Sequence, residues 1–407
     1  MDEPKLLRRT PSHQKAEVMT QQIKPQLSIC RLMPNFQTRL HYAEHYVTKQ
    51  LQLRGHRTTF VTTNSVLHSL RHLVPQENIG VYWDSEFSWL RVKSVTLGHK
   101  PLVSIRLLKS LIRSKRYNIF HLSGVGVPLS IQFLLAHRLC RSDTPVVISD
   151  HTTSDTSSSK GLTVGLYYRL LRWSLAGLKD RIAQVASFCP ESCDLLSDRF
   201  ALPRDKCRVI PLGYDANIFH FRPTHDVSKS QAATIGFAGK PSSSKRLEDL
   251  IRAVGIVGQD NAIELRIAGL LDCAPTLRHD LLNLAASLNV KLVPLPLLPA
   301  TELARFYNEL HLAVFPGSIS VTTLEASGCG TPVLIRRSIE GIASRVENGR
   351  GHLFDTFDEL VALIRTALTA TETEEQRRQR SLATAQEFGW ENLATKYEEL
   401  YLELLDG

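Results

Sequence analysis

Two loops in the second half of the chain hold the residues best suited to chemistry. The first reads Gly236-Phe237-Ala238-Gly239-Lys240-Pro241-Ser242-Ser243-Ser244-Lys245. It follows a short apolar run and precedes an amphipathic stretch, so it reads as a strand-to-helix turn. Gly239 lets the backbone turn and approach a ligand closely, and Ser244 has the side chain of an N-cap. A helix N-terminus favours an anion, and Lys240 and Lys245 add two cations there. The pattern G-x4-G-K-[ST] is absent, so this is not a Walker loop. The chemistry offered is stabilisation of negative charge on a phosphate.

The second loop runs from Phe315-Pro316-Gly317 through Ser318, Ser320, Val321 and Thr322 to Glu325, and returns through Gly328, Gly330 and Pro332. Its backbone N–H groups at 318–322 can cradle a phosphate, and the Glu325 carboxylate can accept hydrogen bonds from a ribose diol.

These loops need a scaffold. Apolar runs of about five residues lie at 27–32, 58–62, 118–122, 145–149, 183–187 and 207–211, with amphipathic stretches between them. The polar segment 222–233 breaks the pattern, which restarts with runs at 234–238, 263–268, 290–293, 311–315 and 332–335. This alternation predicts an α/β protein of two doubly wound, mostly parallel sheets. In such sheets ligands bind at the carboxyl ends of the strands, here in the cleft between the two domains. The expected division is a polar tail at 1–24, a first domain at 25–221, a linker at 222–233, a second domain at 234–382 and a terminal helix at 383–407 that packs back on the first domain. The intervening charged stretch 371–380 reads as a solvated helix or linker.

Together, these landmarks resemble the family-4 glycosyltransferases of the GT-B fold, in which two Rossmann-like domains face each other. That family carries G-R-x4-K-G in its second domain; here Gly239 matches the first Gly, Lys240 stands for Arg, Lys245 matches the Lys and Arg246 replaces the following Gly. Leu324-Glu325-Ala326, Gly330 and Pro332-Val333 match the surroundings of the second Glu of its E-x7-E motif. Leu53-Arg54-Gly55-His56, Ile119-Phe120-His121-Leu122, Ile210-Pro211-Leu212-Gly213-Tyr214-Asp215 and Phe388-Gly389-Trp390-Glu391 match further landmarks in order. One departure is marked: the first Glu of E-x7-E, which contacts donor-sugar hydroxyls in the family, is Gly317 here.

The resemblance implies a retaining transfer of a sugar from a UDP- or GDP-sugar to a glycan or lipid-linked hydroxyl, without metal or other cofactor. Lys240 and Lys245 would stabilise the leaving diphosphate, while Gly239, Ser318, Ser320, Val321, Thr322 and Glu325 would hold the donor. His151 would be the active-site histidine, oriented by Asp150, and Tyr42, Glu44 and His121 would line the acceptor side. Loss of the Glu at 317 keeps a second reading open, an inactive nucleotide-sugar-binding protein; an epimerase of the same fold is a third. The pattern His41-Tyr42-Ala43-Glu44-His45 also fits H-x-x-E-H, a zinc signature. It falls at the start of the first α/β unit, however, in a chain with 15 His, where chance matches are common.

Composition narrows the class. With 407 residues, 43% hydrophobic and 22% charged, the chain is ordinary globular material. Seven scattered cysteines fit no disulfide framework and suggest a reducing, cytoplasmic setting. The N-terminal 22 residues lack an apolar stretch and read as a polar tail rather than a signal peptide. Residues 1–200 hold 27 Lys and Arg against 14 Asp and Glu, a net +13, while the remainder is −4. No nucleic-acid motif accompanies that charge. The basic helix expected at 102–116 is a candidate for contact with an anionic membrane surface.

Overall fold

The computed structural model describes residues 25–35, 43–65, 80–83, 88–97, 100–152, 162–223, 232–317, 320–337, 341–370 and 372–406. The expected tail and Tyr42, Ser318 and most of the linker lie outside them.

The first domain is built on strands β1 (Ser28–Met33), β2 (Arg57–Thr63), β3 (Gly80–Trp83), β4 (Ser88–Val92), a small hairpin of β5 (Ser94–Leu97) and β6 (Lys100–Val103), then β7 (Ile119–Ser123), β8 (Val146–Asp150), β9 (Gln184–Ser187) and β10 (Cys207–Val209). Its main sheet has the order β10-β9-β8-β7-β1-β2-β4-β3, parallel except for the edge pair β3–β4. Helices α1 (Ala43–Leu53), α2 (Ile105–Arg113), α3 (Pro128–Cys140), α4 (Leu162–Ala176) and α5 (Pro190–Phe200) cover it. From β7 to β10 each connection steps the same way across the sheet, so right-handed crossovers put α3, α4 and α5 on one face. The central strands are buried on both sides because both faces are covered.

The second domain has strands β11 (Ala233–Ala238), β12 (Ile263–Ala268), β13 (Lys291–Leu295), β14 (Leu312–Phe315), β15 (Val333–Arg336) and β16 (Gly351–Phe354), all parallel in the order β13-β12-β11-β14-β15-β16. Its helices are α6 (Leu247–Val257), α7 (Pro275–Ser287), α8 (Ala300–Asn308), α9 (Thr322–Gly328), α10 (Ala343–Val346) and α11 (Phe357–Thr369). The two facing doubly wound domains are the GT-B arrangement expected from the sequence.

The chain end departs from expectation. The charged stretch is a mostly exposed helix, but it runs on past 383: α12 (Glu374–Phe388) and α13 (Trp390–Asp406) meet at Gly389 in place of one helix from 383. A capping box between Thr373 and Gln376 starts α12. Buried Arg377 ties it to the second domain by donating to Asn308 O and Thr331 Oγ1. Helix α13 crosses back and packs on α1, with Leu393, Tyr397 and Tyr401 in the core there. At the crossing, Tyr214 N donates to Phe388 O, and Trp390 N donates to Tyr214 O. The two passages between domains therefore run side by side at Tyr214 and Gly389.

Candidate active site

A cavity opens where the domains face each other, and a second adjoins it within the first domain and α13; the two share Ala43, Leu212 and Trp390 as walls. The larger, about 460 Å³, is bounded by Tyr46 of α1, Tyr214 and Asp215 of the crossing segment, and Val321 and Glu325 of the second domain. Tyr46 stacks flat on Trp390 at 5.2 Å between ring centres, which makes an aromatic wall. The smaller, tighter cavity is lined by Arg31, Glu44, Ser149, His151 and Tyr397.

Glu325 stands in the first turn of α9, below the second loop. Burial pushes its carboxyl pKa up to about 7. Its Oε2 is buried without a hydrogen-bond partner among the described residues. A buried carboxyl oxygen without a partner costs free energy, and a hydroxyl from a ligand would offset it. Ser320 and Thr322 are linked through their hydroxyls at 2.6 Å. Arg345 holds this loop from behind, with Nη1 donating to Ser320 O (2.7 Å) and Thr323 Oγ1 (2.6 Å). Arg345 is buried, and desolvation lowers its pKa to about 10. Among the described residues no carboxylate forms an ion pair with it. The sequence reading missed it, because an Arg in a four-residue helix carries no pattern.

The first loop follows β11 as expected, with Gly239 at φ +148° and its N–H donating to Ala268 O. Ser244 is not an N-cap. The segment Ser243–Lys245 forms a 3-10 turn, and α6 starts only at Leu247, after Arg246 in the left-handed conformation (φ 51°). The Ser244 hydroxyl instead meets that of Ser242 at 2.9 Å. Lys240 is exposed, and Lys245 is half-buried with its pKa lowered by burial. Neither lysine lines the two cavities. What joins their loop to the second is Gly317, packed directly against the backbone of Ser244 and Lys245.

On the first domain, His151 follows β8, is exposed, and meets Phe188 edge-on at 6.3 Å. Phe188 and Cys189 in turn lie against Gly341 of the second domain. Asp150 does not orient His151 through its side chain: both carboxylate oxygens accept backbone N–H groups, of Val125 (2.7 Å) and Thr152 (2.9 Å). Glu44 opens α1 and accepts from Ser123 Oγ at 3.3 Å.

His121 does not line the cleft. It is buried, with Nδ1 at 2.5 Å from Tyr401 Oη and Nε2 at 2.6 Å from Ser149 Oγ, and desolvation holds its pKa well below the usual histidine range. The cleft wall above it belongs to Ser149 and Tyr397, with buried Arg31 beside them, Nη2 donating to Tyr401 Oη. Of the zinc-like pattern, His45 is buried in α1, and His41 lies outside the described residues.

Residues 45–218 match the family model described as Glycosyltransferase Family 4, and residues 224–384 match that described as Glycosyl transferases group 1. Among curated proteins, the D-inositol 3-phosphate glycosyltransferase of Paenarthrobacter aurescens (strain TC1) is 26% identical over 244 residues, covering 56% of this chain and 59% of that protein. That of Arthrobacter sp. (strain FB24) is 27% identical over 240 residues, covering 54% and 56%. The chain thus spans less than three fifths of the length of these relatives. Among solved structures, Anabaena Alr3699/HepE in complex with UDP superposes with a TM-score of 0.68 at 16% identity, over 93% of this chain and all of that one. Sucrose-phosphate synthase from Thermosynechococcus elongatus gives 0.62 at 15%, over 94% and 100%.

Proposed function

The chain belongs to the family-4, group 1 glycosyltransferases, and from that premise we propose that it moves a sugar from a nucleotide-sugar to an acceptor hydroxyl in the cleft between its domains. The observation that carries this reading is the Glu325 carboxyl, set in the interdomain cavity with a buried oxygen lacking a partner among the described residues. A nucleotide ribose would supply its hydroxyl partners. The similarity to an Anabaena protein solved in complex with UDP supports a UDP-sugar as donor, with a GDP-sugar as the alternative.

In this reading Gly239 and the N–H groups of Ser318, Ser320, Val321 and Thr322 approach the donor. As the bond from the anomeric carbon to the diphosphate breaks, negative charge grows on the leaving oxygen. Lys240 and Lys245 stabilise that charge, which is the work a metal ion would otherwise do. The transition state is oxocarbenium-like. Retention follows if the leaving phosphate oxygen takes the acceptor hydroxyl's proton on the same face. His151 faces the donor sugar at the reacting centre, and Glu44 and Tyr42 line the side of the acceptor, a glycan or a lipid-linked sugar. The odd number and scattered spacing of the seven cysteines support a reducing, cytoplasmic setting, and the basic first domain supports contact with the anionic face of a membrane.

A second reading, binding without transfer, is favoured by Gly317, since the space a glutamate there would need is filled by the Ser244–Lys245 backbone. Calorimetric titration with UDP, GDP, UDP-glucose and GDP-mannose, with Lys240→Ala and Glu325→Gln beside the wild type, tests the site. Binding of one nucleotide series, weakened in both variants, together with release of free nucleotide in the presence of acceptor, supports transfer. Binding without release supports the second reading, and no binding overturns both.

A further inference from the structure

Helix α4 is amphipathic in an unusual sense, with an apolar stripe on each side. Leu171 and Leu175 point into the core of the first domain. Leu166, Leu170 and Trp173, spaced i, i+4 and i+7, lie on the opposite side, 59%, 56% and 79% exposed. Trp173 is the most exposed large apolar side chain among the described residues. Scattered apolar side chains on a surface need no explanation, but three on one helical stripe do.

The stripe does not end with α4. Gly177, just past its last residue, accepts a hydrogen bond from Arg138 on α3. On either side of Arg138, Leu135 and Leu139 are again exposed. The contact therefore joins two exposed leucines of α3 to the end of the α4 stripe. Arg169 and Arg172 are exposed along the α4 edge. Helix α2, packed beside α3, adds a shallow concavity lined by Arg106, Lys109 and Arg113. The result is an apolar centre flanked mainly by basic side chains, with exposed Asp180 just beyond Gly177 paired to Arg181.

We propose that this face of α3 and α4 docks on an anionic lipid bilayer, with Trp173 and the leucines entering the headgroup boundary and the arginines at the lipid phosphates. The charge pattern selects this occupant over a second copy of the chain. A two-fold contact centred on this stripe would bring two arginine-bearing faces together, whereas an anionic surface is complementary to Arg169 and Arg172. No described helix is long and apolar enough to cross a membrane, so contact would be at the surface. The proposal sharpens the membrane reading above but does not depend on sugar transfer, because vesicle binding is measured without donor or acceptor.

The test is flotation of the full chain with phosphatidylcholine vesicles, with and without phosphatidylglycerol, while tryptophan emission is followed. The expected result is flotation that requires phosphatidylglycerol, with a blue shift in emission that is absent in Trp173→Phe. Leu166→Ser with Leu170→Ser should lower partitioning at least about tenfold, as expected for two large apolar side chains kept in water, and Arg169→Glu should weaken it on anionic vesicles alone. Unchanged melting of the variants excludes misfolding. Absence of flotation, flotation insensitive to the serine variants, or a concentration-dependent dimer in light scattering that those variants dissolve would each overturn the proposal.

Discussion

Gly317 rests on the backbone of Lys245: a Cβ built at 317 would collide with the carbonyl oxygen of Ser244 and lie 2.8 Å from the Lys245 Cα. The two loops that the sequence singles out for anion chemistry are therefore held together by the absence of a side chain. The departure from the family at this position is a packing solution as well as a lost carboxylate. Gly317→Ala should cost about 1–3 kcal/mol, the range for overpacking a well-packed site, and should weaken nucleotide binding by moving Lys245. Gly317→Glu, which restores the family's residue, should destabilise further and fail to gain donor affinity. Urea unfolding and calorimetric titration of both variants check this; a Gly317→Glu protein that binds donor more tightly at full stability would refute it.

Glu325 sets a pH dependence. Its folded pKa, raised to about 7 by burial, exceeds that of an unfolded glutamate near 4.3. The folded state thus keeps a proton that the unfolded state has lost, and stability falls as pH rises from about 4.3 through 7, by at most a few kcal/mol. Glu325→Gln should flatten that part of the curve. If ribose hydroxyls donate to the ionised carboxylate, nucleotide binding should release a proton near neutral pH. Titrations in buffers of different ionisation enthalpy read that proton directly, and Glu325→Gln should abolish its release.

Arg345 separates loop positioning from stability. Its guanidinium holds Ser320 O and Thr323 Oγ1 from a buried site with no carboxylate partner among the described residues. Burying that charge is expensive, so Arg345→Met, similar in volume, should change stability by no more than about 1 kcal/mol. Releasing the loop should nevertheless raise the donor KM about tenfold, equivalent to the roughly 1.4 kcal/mol of one charge-assisted hydrogen bond. A matching loss of kcat at unchanged KM would contradict a positioning role.

The sheets were legible because strands buried on both faces print as short apolar runs, and β1, β7, β8, β11, β12 and β14 all fall where those runs lie. Strands β3 and β4 escaped because they form a sheet edge, and β4 carries Arg91, a charged residue buried by donating to Thr63 O. The break at Gly389 was hidden because the helical pattern continues on both sides; what fixes it is the pairing of Gly389 with Tyr214 from far along the chain. Within the site, Glu325 and the glycine turns were visible as local motifs. Tyr46, Trp390 and Arg31 come together only through packing of α1, β1 and α13. His121 was misplaced for the same reason: its strand position was correct, but α13 covers it.

Arg246 offers a test of local backbone chemistry. It holds φ 51° and ψ 44° at the turn into α6, where the family motif has Gly. A left-handed residue with a side chain costs about 1–2 kcal/mol, which Gly avoids. Arg246 recovers part of that cost by pairing with Asp249 at 2.8 Å, but the Arg side chain there is half exposed and such a pair contributes only about 0.2–1 kcal/mol. Arg246→Gly should therefore be neutral to stabilising, by up to about 1 kcal/mol once the extra freedom of Gly in the unfolded chain is counted. Arg246→Ala keeps the strained dihedral and loses the ion pair, so it should be the less stable variant. Thermal melting of the two orders them. Because the turn positions Lys245, the Gly variant should also keep nucleotide affinity, while the Ala variant should lower it if the strain moves the loop. An Ala variant as stable as Gly would mean that the left-handed turn is not maintained in solution.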